Sequence, residues 1–543
     1  MPGNAFHGAL ACGQGAGREM IMRKVKAALS SFVGFIPLIA LLLIVFFARE
    51  SLVDGIKSWG TEKPKGEGPP LLEKQMFVRD RYIRREITDP DSTVELGSAT
   101  LTTQTFSGAD MSVTETKIVL ENGDVFQHTM IPHSEYLEAY NKYKLVIHYE
   151  FKRGWVTYFD PETEKWVYNK RLRGGISFPT NMAFVNIENE TYIVFDQTYA
   201  YSDGEDGNVI ARDDAMGRIY VSHRGYGFDF LIGYAMEEGL RSEMWTLESK
   251  EPLVDLENPE ATFATGETSS EFWKRCSYGK NHRFLIDGYY SRTPESYSGY
   301  QENAFWRNPG VHIPYNYVLF GNDRASYDLG YIQLYLSSLN MEEEGYFKTE
   351  PESAWLRDEY GIPGGYYDTR FNADMGVALV KAYQKYGEPY FLRQAERMLS
   401  FFKGFAADHH YSFYSDGTAE GWLIQDYWHR DGGYEPVHSA LNHQVQETLF
   451  LYLAGEALDD ADAIALADTM LKGIEMTSDI WIKPGGDLHY GYTPEGTFDR
   501  QDYPDLTYHD MVRLQKQLEE MGRDRSAGLE RLIVSKKQFI DSE

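Results

Sequence analysis

Four stretches in the C-terminal half of the sequence combine side chains that could bind an anion or move a proton. The first is Gly364–Arg370, where a Gly-Gly turn precedes Tyr366, Tyr367, Asp368 and Arg370, just before an amphipathic run. Because a helix N-terminus favours negative charge, this stretch predicts an anion-binding turn. A packed loop with a helix-capping aspartate explains the same pattern, so both interpretations stay open.

The second stretch lies within residues 409–434 and concentrates aromatic and charged side chains: Glu420, Trp422, His429 and Arg430. Aromatic rings can stack on sugar rings, and a histidine beside an acid can exchange protons. The stretch therefore predicts a carbohydrate-binding loop in which His429 is a candidate proton carrier. A structural histidine is the alternative.

The third stretch is Leu441–Gln444, where Asn442 follows His438 by four residues and so shares its helix face; it is expected to bind substrate, with a satisfied polar pair in the core as the alternative. The fourth stretch, Asp487–Tyr492 followed by Leu506–His509, adds two candidate proton carriers, Tyr490 and Tyr508. A phenol has an ordinary pKa of about 10. A nearby cation must therefore lower the pKa of a tyrosine before that tyrosine can serve as a base at neutral pH. Aromatic packing is the alternative for each tyrosine. The histidines beside these tyrosines, His489 and His509, are also expected to bind substrate.

The residues around these candidates have the periodicity of helices. From about residue 320, apolar side chains recur with helical spacing, and short breaks at Gly387–Pro389 and Asp459-Asp460 predict helical hairpins. Hairpins alternating with long loops predict a six-hairpin-like (α/α) toroid over residues 316–543, with an irregular helical bundle as the alternative. The predicted helices are Tyr327–Met341, Asp374–Tyr386, Phe391–Phe405, His438–Leu458, Ala461–Ile474 and Tyr508–Met521.

Residues 76–315 instead contain short runs rich in β-branched and aromatic residues, separated by Gly, Asn and Asp turns. Asn122-Gly123 between two such runs is a hairpin signal. This region predicts an antiparallel β-sandwich or barrel. Oxygen-rich residues at 203–207 and 213–214 could bind a structural calcium ion, although an exposed acidic hairpin is the preferred interpretation.

The N-terminal region predicts a membrane anchor. Ala27–Ala48 carries no charge and is long enough to cross a bilayer, and Arg23, Lys24 and Lys26 precede it. Positive charge on the cytoplasmic side places the C-terminal body outside the cytoplasm. We therefore divide this region into an atypical segment at 1–21, an anchor at 22–48 and a linker at 49–75. A cleaved signal peptide is the alternative.

Composition narrows the function classes. The 543 residues carry a formal net charge of −29, which argues against general nucleic-acid binding. The 2 cysteines are far apart and lack zinc-site spacing, and Walker A, dinucleotide-binding, Gly-x-Ser-x-Gly and His-Glu-x-x-His motifs are absent from the sequence. We expect no organic cofactor and no catalytic metal, and a homodimer is left open.

From Tyr366 to Met521 the chain resembles the D-glucuronyl C5-epimerases, which invert glucuronate to iduronate in heparan-type chains. Four stretches carry the resemblance, in the family's order: Asp374–Tyr383, Ser439–Leu453, Gly485–His489 and Tyr508-His509. The resemblance implies tyrosine acid/base groups and makes Tyr508 the best-matched proton carrier. The family's loop tyrosine falls on Gly486 here, so Tyr490 is the candidate replacement.

These observations predict a membrane-anchored, extracytoplasmic enzyme that resembles a uronate C5-epimerase and acts on a uronate-containing polysaccharide. Arg370 or Arg430 would neutralise the charge that develops on the substrate carboxylate. A polysaccharide lyase and a glycoside hydrolase remain alternatives, with Asp368, Glu420 and Asp431 as the hydrolase candidates. A non-catalytic protein that binds glycans or helps to assemble the cell envelope is a further alternative.

Overall fold

A computed structural model describes residues 74–542, apart from internal stretches at 79–80, 84–89, 109–110, 132–142, 150, 180–181, 205–206, 213–217, 225–226, 235–238, 258–262, 264–265, 277–280, 293, 298–299 and 311. The predicted anchor at 22–48, the segment 1–21, nearly all of the linker and part of the calcium candidate lie outside the described residues. Among the helices that are described, none has both the length and the apolar character needed to cross a membrane.

Strands dominate the chain up to residue 307. They are β1 (Lys74–Val78), β2 (Arg81–Ile83), β3 (Ser92–Leu96), β4 (Ala99–Gly108), β5 (Met111–Val119), β6 (Val125–Ile131), β7 (Tyr143–Tyr149), β8 (Gly154–Asp160), β9 (Lys165–Arg171), β10 (Ser177–Pro179), β11 (Ala183–Ile187), β12 (Thr191–Phe195), β13 (Tyr199–Asp203), β14 (Val209–Ala211), β15 (Arg218–Arg224), β16 (Gly227–Tyr234), β17 (Arg241–Ser249), β18 (His282–Leu285), β19 (Gly288–Arg292) and β20 (Ala304–Arg307). Helix α1 (Ser269–Cys276) lies among them.

These strands form two antiparallel sheets that pack face to face. One has the order β10-β15-β16-β7-β1-β2, and the larger one runs β18-β19-β20-β14-β13-β17-β12-β11-β8-β9, with β3–β6 joined to β17 through β6. Phe178 and Phe230 from the smaller sheet share one buried core with Val185, Phe195 and Met244 from the larger sheet. The predicted antiparallel β-sandwich is confirmed in these two sheets.

The predicted hairpin at Asn122-Gly123 is also confirmed, between β5 and β6. Gly123 has φ 85°, and its N–H donates to Leu120 O at 3.0 Å, which closes the turn. The turn also contacts the helical region, because the Asn122 side chain donates to Asp328 Oδ1 at 2.7 Å. The hairpin therefore joins the large sheet to a helix.

From residue 312 onward helices dominate, with short strands between them. The helices are α2 (His312–Phe320), α3 (Arg324–Ser338), α4 (Ala354–Tyr360), α5 (Thr369–Tyr386), α6 (Pro389–Asp408), α7 (Leu441–Leu458), α8 (Ala461–Trp481), α9 (Leu506–Glu520) and α10 (Ala527–Ser542). The strands are β21 (Lys348–Thr349), β22 (Tyr366–Asp368), β23 (His410–Ser415), β24 (Thr418–Ile424), β25 (Tyr427–Trp428), β26 (Ser439–Ala440), β27 (His489–Tyr492) and β28 (Phe498–Gln501).

The long helices pair as four hairpins: α2/α3, α5/α6, α7/α8 and α9/α10. The first helix of each pair lies on the inside, since α2 packs on α5, α5 on α7 and α7 on α9. Arg513 on α9 donates to the Tyr315 hydroxyl on α2 at 3.1 Å, which closes the inner ring. The described residues thus form four hairpins, whereas the expected six-hairpin-like toroid would need six. Before residue 312, the described part of the chain forms mainly sheets and does not supply the other two hairpins.

Local chemistry sets the hairpin breaks. Gly387 ends α5 with φ 69°, the Glu388 side chain caps α6, and Pro389 occupies its first turn. Asp459 ends α7 with φ 55°, and the Asp460 side chain caps α8. Two predictions were wrong nearby: the helix predicted from His438 begins at Leu441, and the predicted 409–434 loop contains the hairpin β23/β24.

Helix α7 runs through the centre of the helical region, and every residue from Leu441 to Gly455 is buried. Its neighbour α5 approaches closely, because Gly376 leaves room for the Phe450 ring. Buried polar side chains on α7 therefore have few solvent partners. This central helix begins at the end of the ring where the candidate site lies.

Candidate functional site

The candidate site lies where the inner helices α5, α7 and α9 begin. Strand β22 leads into α5 and pairs with β25, so that Asp368 is the direct partner of Tyr427. The backbone N–H of Thr369, the first residue of α5, donates to Asp426 O at 3.0 Å. The three helix N-termini contribute partial positive charge at this end of the ring.

Five tyrosines gather around two aspartates at this end of the ring. We call this set the tyrosine–aspartate cluster: Tyr297, Tyr366, Tyr427, Tyr490, Tyr503, Asp368 and Asp426. Edge-to-face ring contacts hold the phenols in place, at centroid distances of 5.8 Å for Tyr366–Tyr427 and 5.8 Å for Tyr490–Tyr503. The members come from five separate segments of the chain, so only the folded protein assembles them.

Asp368 is the cluster member whose carboxyl group is suited to proton transfer near neutral pH. Its pKa is raised to about 7, mainly by burial and also by the nearby Asp426, while the hydrogen bond from Phe371 N–H at 2.9 Å opposes the shift. The side chain is 5% exposed. It also caps α5, yet the cost of burying its charge exceeds the benefit of capping. Asp368 can therefore accept and return a proton at physiological pH.

Asp426 is fully buried, and burial raises the pKa of its carboxyl group well above its usual value. Both carboxyl oxygens accept from Ala440 N–H at 2.9 Å, which places Asp426 at the start of α7. His438 Nε2 lies 3.3 Å from Asp426 Oδ2, and the Tyr360 hydroxyl lies 2.8 Å from His438 Nδ1. Because burial lowers the pKa of His438 to about 3, this imidazole is neutral.

Burial raises the pKa of three cluster phenols, Tyr366, Tyr427 and Tyr490, well above the usual value. They are therefore protonated at neutral pH and can donate hydrogen bonds. Burial also raises the pKa of Tyr503, a shift that Arg370 opposes, although the residue as a whole is 40% exposed. Tyr503 thus forms the solvent-facing side of the cluster.

Arg370 lies just below the cluster but is already neutralised. Its Nε donates to both Asp374 oxygens at 3.2 Å, and its Nη1 donates to Asp510 Oδ2 at 2.5 Å. Nη1 also reaches Asn442 O at 3.3 Å. The structure therefore brings together Arg370 and Asn442, two residues that the sequence predicts to bind substrate. The guanidinium group of Arg370 is already paired with the carboxylates of Asp374 and Asp510.

Of the tyrosines predicted from the sequence, Tyr366 and Tyr490 belong to the cluster. Tyr367 lies on the opposite face of β22, where its ring contacts Phe401 and Phe405 at 5.0 and 5.2 Å. Successive side chains of a strand alternate in direction, which separates Tyr367 from Tyr366 and Asp368.

Tyr508 and His509 lie in the first turn of α9, away from the cluster. The charged groups that affect the pKa of Tyr508 all belong to α10: Lys537, Asp541 and Glu530. The imidazole of His509 lies near Arg513 and Asp510, and burial lowers its pKa to about 4. Neither side chain is among the main causes of the raised pKa values of Asp368 and Asp426.

The remaining predicted residues are spread around the helical region. Glu420 is exposed near Lys472, Trp422 stacks on His410 at 3.8 Å, and Arg430 pairs with Glu344 at 2.7 Å. His429 Nδ1 accepts from Asp431 N–H at 3.3 Å, and the His489 ring lies 6.5 Å from that of Phe498. These contacts are all with residues outside the tyrosine–aspartate cluster.

Sequence reasoning missed several residues at this end of the ring: Tyr297, Tyr503, Asp426 and Glu447. Tyr297 and Tyr503 lie in segments without a motif. Glu447 carried a usable signal, because it follows His443 by one helical turn and so shares its face of α7. Ligand atoms of Asp426, His443 and Glu447 all lie within 4.8 Å of one another, so these residues could hold a metal ion.

No protein-family model matches the chain, and no curated protein matches its sequence significantly. Similar solved structures are carbohydrate-active enzymes. They include D-mannose isomerase, at 14% identity and a TM-score of 0.30, covering 43% of this chain and 60% of that chain, or less than two thirds of its length. A family 76 glycoside hydrolase from a bovine Bacteroides thetaiotaomicron strain is 10% identical, with a TM-score of 0.35, covering 84% of this chain and 79% of that one.

A further similar structure is cellobiose 2-epimerase from Bacillus thermoamylovorans B4167, at 10% identity and a TM-score of 0.35, covering 51% of this chain and 69% of that chain. At such identities and scores, the likeness concerns only the general course of the chain.

Proposed function

We propose that the chain is a carbohydrate-active enzyme that epimerises uronate residues of a polysaccharide at C5. The observation that carries this proposal is the tyrosine–aspartate cluster, in which Asp368, with a pKa of about 7, lies among phenols that stay protonated. Epimerisation at C5 needs a proton acceptor on one face of the sugar and a proton donor on the other. The cluster supplies both kinds of group.

In the proposed reaction the Asp368 carboxylate takes the C5 proton of the uronate. The electron pair of the broken C5–H bond moves into the adjacent carboxylate of the substrate, giving an enolate-type dianion. The Tyr490 phenol then returns a proton to C5 from the opposite face, and the electron pair moves back. The Tyr490 phenolate regains a proton through solvent from Asp368, so the cycle is balanced and needs no oxidant.

Two features favour the negative charge of this intermediate. Protonated phenols of Tyr427 and Tyr503 can donate hydrogen bonds to it, and the N-termini of α5, α7 and α9 point toward the same end of the ring. The resemblance of residues 366–521 to the D-glucuronyl C5-epimerases supports the same chemistry. Arg370 contributes only through its field, because Asp374 and Asp510 already occupy its donors.

Tyr508, the tyrosine best matched by the family resemblance, is the rival proton carrier. Its surroundings on α10 are charged, but they include neither Asp368 nor Asp426. We therefore assign the proton donor to Tyr490 and treat Tyr508 as the competing assignment. The substitutions Tyr490→Phe and Tyr508→Phe distinguish these two assignments, because each removes one candidate hydroxyl group.

A glycoside hydrolase is the second candidate, because Asp368 and Asp426 are two adjacent buried carboxyl groups with raised pKa values. A hydrolase needs one protonated and one ionised carboxyl group across the scissile bond. A lyase would share the proton abstraction at C5 but would expel the C4 oxygen. The three reactions give different products from the same substrate.

We also propose that the enzyme acts outside the cytoplasm, held to the membrane by residues 22–48. The uncharged run Ala27–Ala48 and the preceding basic residues support this placement. A uronate-containing polysaccharide of the cell envelope or its surroundings would then be the substrate.

The test is to incubate the purified protein with a panel of uronate-containing polysaccharides in D₂O and to follow the products by NMR. An epimerase leaves chain length unchanged and places deuterium at C5. New reducing ends without C5 exchange would support the hydrolase, and a 4,5-unsaturated end group would support the lyase. Binding without any turnover would indicate a glycan-binding protein and contradict the proposal.

A further inference from the structure

We propose that Asp426, His443 and Glu447 form a buried binding site for a first-row transition-metal dication such as Mn²⁺ or Zn²⁺. One ligand atom from each residue lies within 4.8 Å of the other two. All three side chains are buried, with exposures of 0%, 4% and 0%. The site lies directly beneath the phenols, because Asp426 belongs to both groups.

The backbone places the three ligands on two elements that face each other. His443 and Glu447 lie one turn apart on α7 and so project from the same face. Asp426 immediately precedes β25, and its backbone N–H donates to His438 O at 3.0 Å, which ties it to the segment that enters α7. Metal–ligand distances of about 2.0–2.2 Å put ligands on opposite sides of an ion about 4 Å apart, so small side-chain shifts would close the site.

Glu447 supplies an independent reason to expect a ligand here. Both of its carboxyl oxygens are buried, and neither has a partner within hydrogen-bond distance among the residues that the structure describes. The Thr369 side chain also interacts with Glu447, but its hydroxyl makes the closer contact at 2.9 Å with His443 Nδ1. A buried carboxylate without partners is costly, and buried charges are usually paired or bound to metal. A dication would satisfy Glu447 and balance the charges of both carboxylates.

The neighbouring groups would hold the ligands in place. The Asp426 carboxyl group accepts a shared hydrogen bond from Ala440 N–H, and the Asp426 carbonyl accepts from Thr369 N–H at 3.0 Å. Such contacts orient a metal ligand. The metal would therefore link the first turn of α5, the start of α7 and β25 at one point.

The ligand types limit which metal fits. Ca²⁺ takes about six to eight oxygen ligands, more than this buried group offers. Two carboxylates and one imidazole suit Mn²⁺ or Zn²⁺, since imidazole favours Zn²⁺ and carboxylates favour Mn²⁺. This metal differs from the calcium suggested by the oxygen-rich residues of the β region, and it was not expected from the sequence.

The experiment uses the full purified chain, first treated with a chelator and then titrated separately with Zn²⁺, Mn²⁺ and Ca²⁺ by calorimetry, with metal content measured afterwards. We expect one Zn²⁺ or Mn²⁺ per chain, a rise in Tm on binding, and much weaker binding of Ca²⁺. Glu447→Gln should weaken Zn²⁺ binding by at least about 100-fold, because it removes a charged ligand. Glu456→Gln is the matched control, since Glu456 is exposed on the same helix.

Equal Zn²⁺ binding by wild type and Glu447→Gln, or no stoichiometric binding by wild type, would overturn the proposal. If Glu447→Gln fails to fold, pulsed EPR of Mn²⁺ bound to the wild-type chain decides instead. A nitrogen coupling from a directly bound imidazole is expected, and its absence would exclude His443 as a ligand. No carbohydrate is present in these measurements, so their outcome is independent of the proposed epimerase activity.

Discussion

Asp368 and Tyr427 are direct partners in the antiparallel pair of β22 and β25, and this register holds an acid of pKa about 7 beside a phenol that stays protonated. Burial shifts both groups in the same direction, since it disfavours the charged form of each. The result is a carboxyl group that titrates near neutral pH next to phenols that do not. This difference in protonation is what proton transfer across a sugar ring requires.

The first prediction concerns pH. Asp368 accepts a proton only when it is ionised, so the rate of C5 exchange should rise as pH increases through about 7 and level off above it. Asp368→Asn should lower the exchange rate by at least about 100-fold at every pH. The measurement is the pH profile of kcat/KM for deuterium incorporation. A flat profile between pH values of about 5 and 9 would contradict the role of Asp368.

The second prediction is that Asp368→Asn stabilises the protein at high pH. Burial raises the folded-state pKa from 3.8 to about 7, so wild type loses stability as pH rises between these values. Asparagine can still cap α5 and does not ionise. The variant should therefore be more stable than wild type by about 2–4 kcal/mol at pH 8, and the difference should vanish near pH 4. Denaturant unfolding at both pH values measures it.

The third prediction compares the loss of one hydroxyl group at Tyr490 with the same loss at Tyr508. Tyr490→Phe should reduce C5 exchange by about 100-fold or more, because it removes the proposed proton donor. Tyr508→Phe should change the rate only slightly, since the charged groups that act on Tyr508 belong to α10 and not to the cluster. Initial rates of deuterium incorporation for the two purified variants provide the comparison. Loss of activity in Tyr508→Phe alone would favour the assignment implied by the family resemblance.

The fourth prediction concerns the two arginines expected from the sequence to bind a carboxylate. Arg370→Met should destabilise the fold by about 3–5 kcal/mol, because it leaves Asp374 and Asp510 buried without their shared partner. Arg430→Met should leave stability unchanged, since Arg430 is exposed where it pairs with Glu344. Denaturant unfolding of both variants measures the change in the free energy of unfolding. Similar losses of stability in the two variants would contradict a stabilising role for the buried ion pairs of Arg370.

Features with local causes were predictable from the sequence. The break between α7 and α8 depends on Asp459 in a left-handed conformation, φ 55°, and on the cap formed by Asp460. The β5–β6 turn depends on Gly123 in the same way. An equally local signal was overlooked at Asp416-Gly417, which form the turn between β23 and β24 with φ 49° and 82°.

The site depended on contacts that no local pattern specifies. Tyr366 and Tyr490 were identified from their neighbours, but Tyr297 and Tyr503 reach the cluster from segments far apart in the chain. The position of Tyr508 follows from the packing of α9 on α10, and α10 itself was not predicted. Arg370 looked available because its partner Asp510 lies 140 residues further along the chain.

The most direct test of the central claim is deuterium incorporation at C5 of a uronate-containing polysaccharide in D₂O, measured by NMR for wild type, Asp368→Asn and Tyr490→Phe. We predict exchange with intact chain length for wild type and a loss of about 100-fold or more for both variants. Wild-type exchange that survives in both variants would contradict the assignment of proton transfer to the cluster. Chain cleavage without C5 exchange would contradict the epimerase proposal itself.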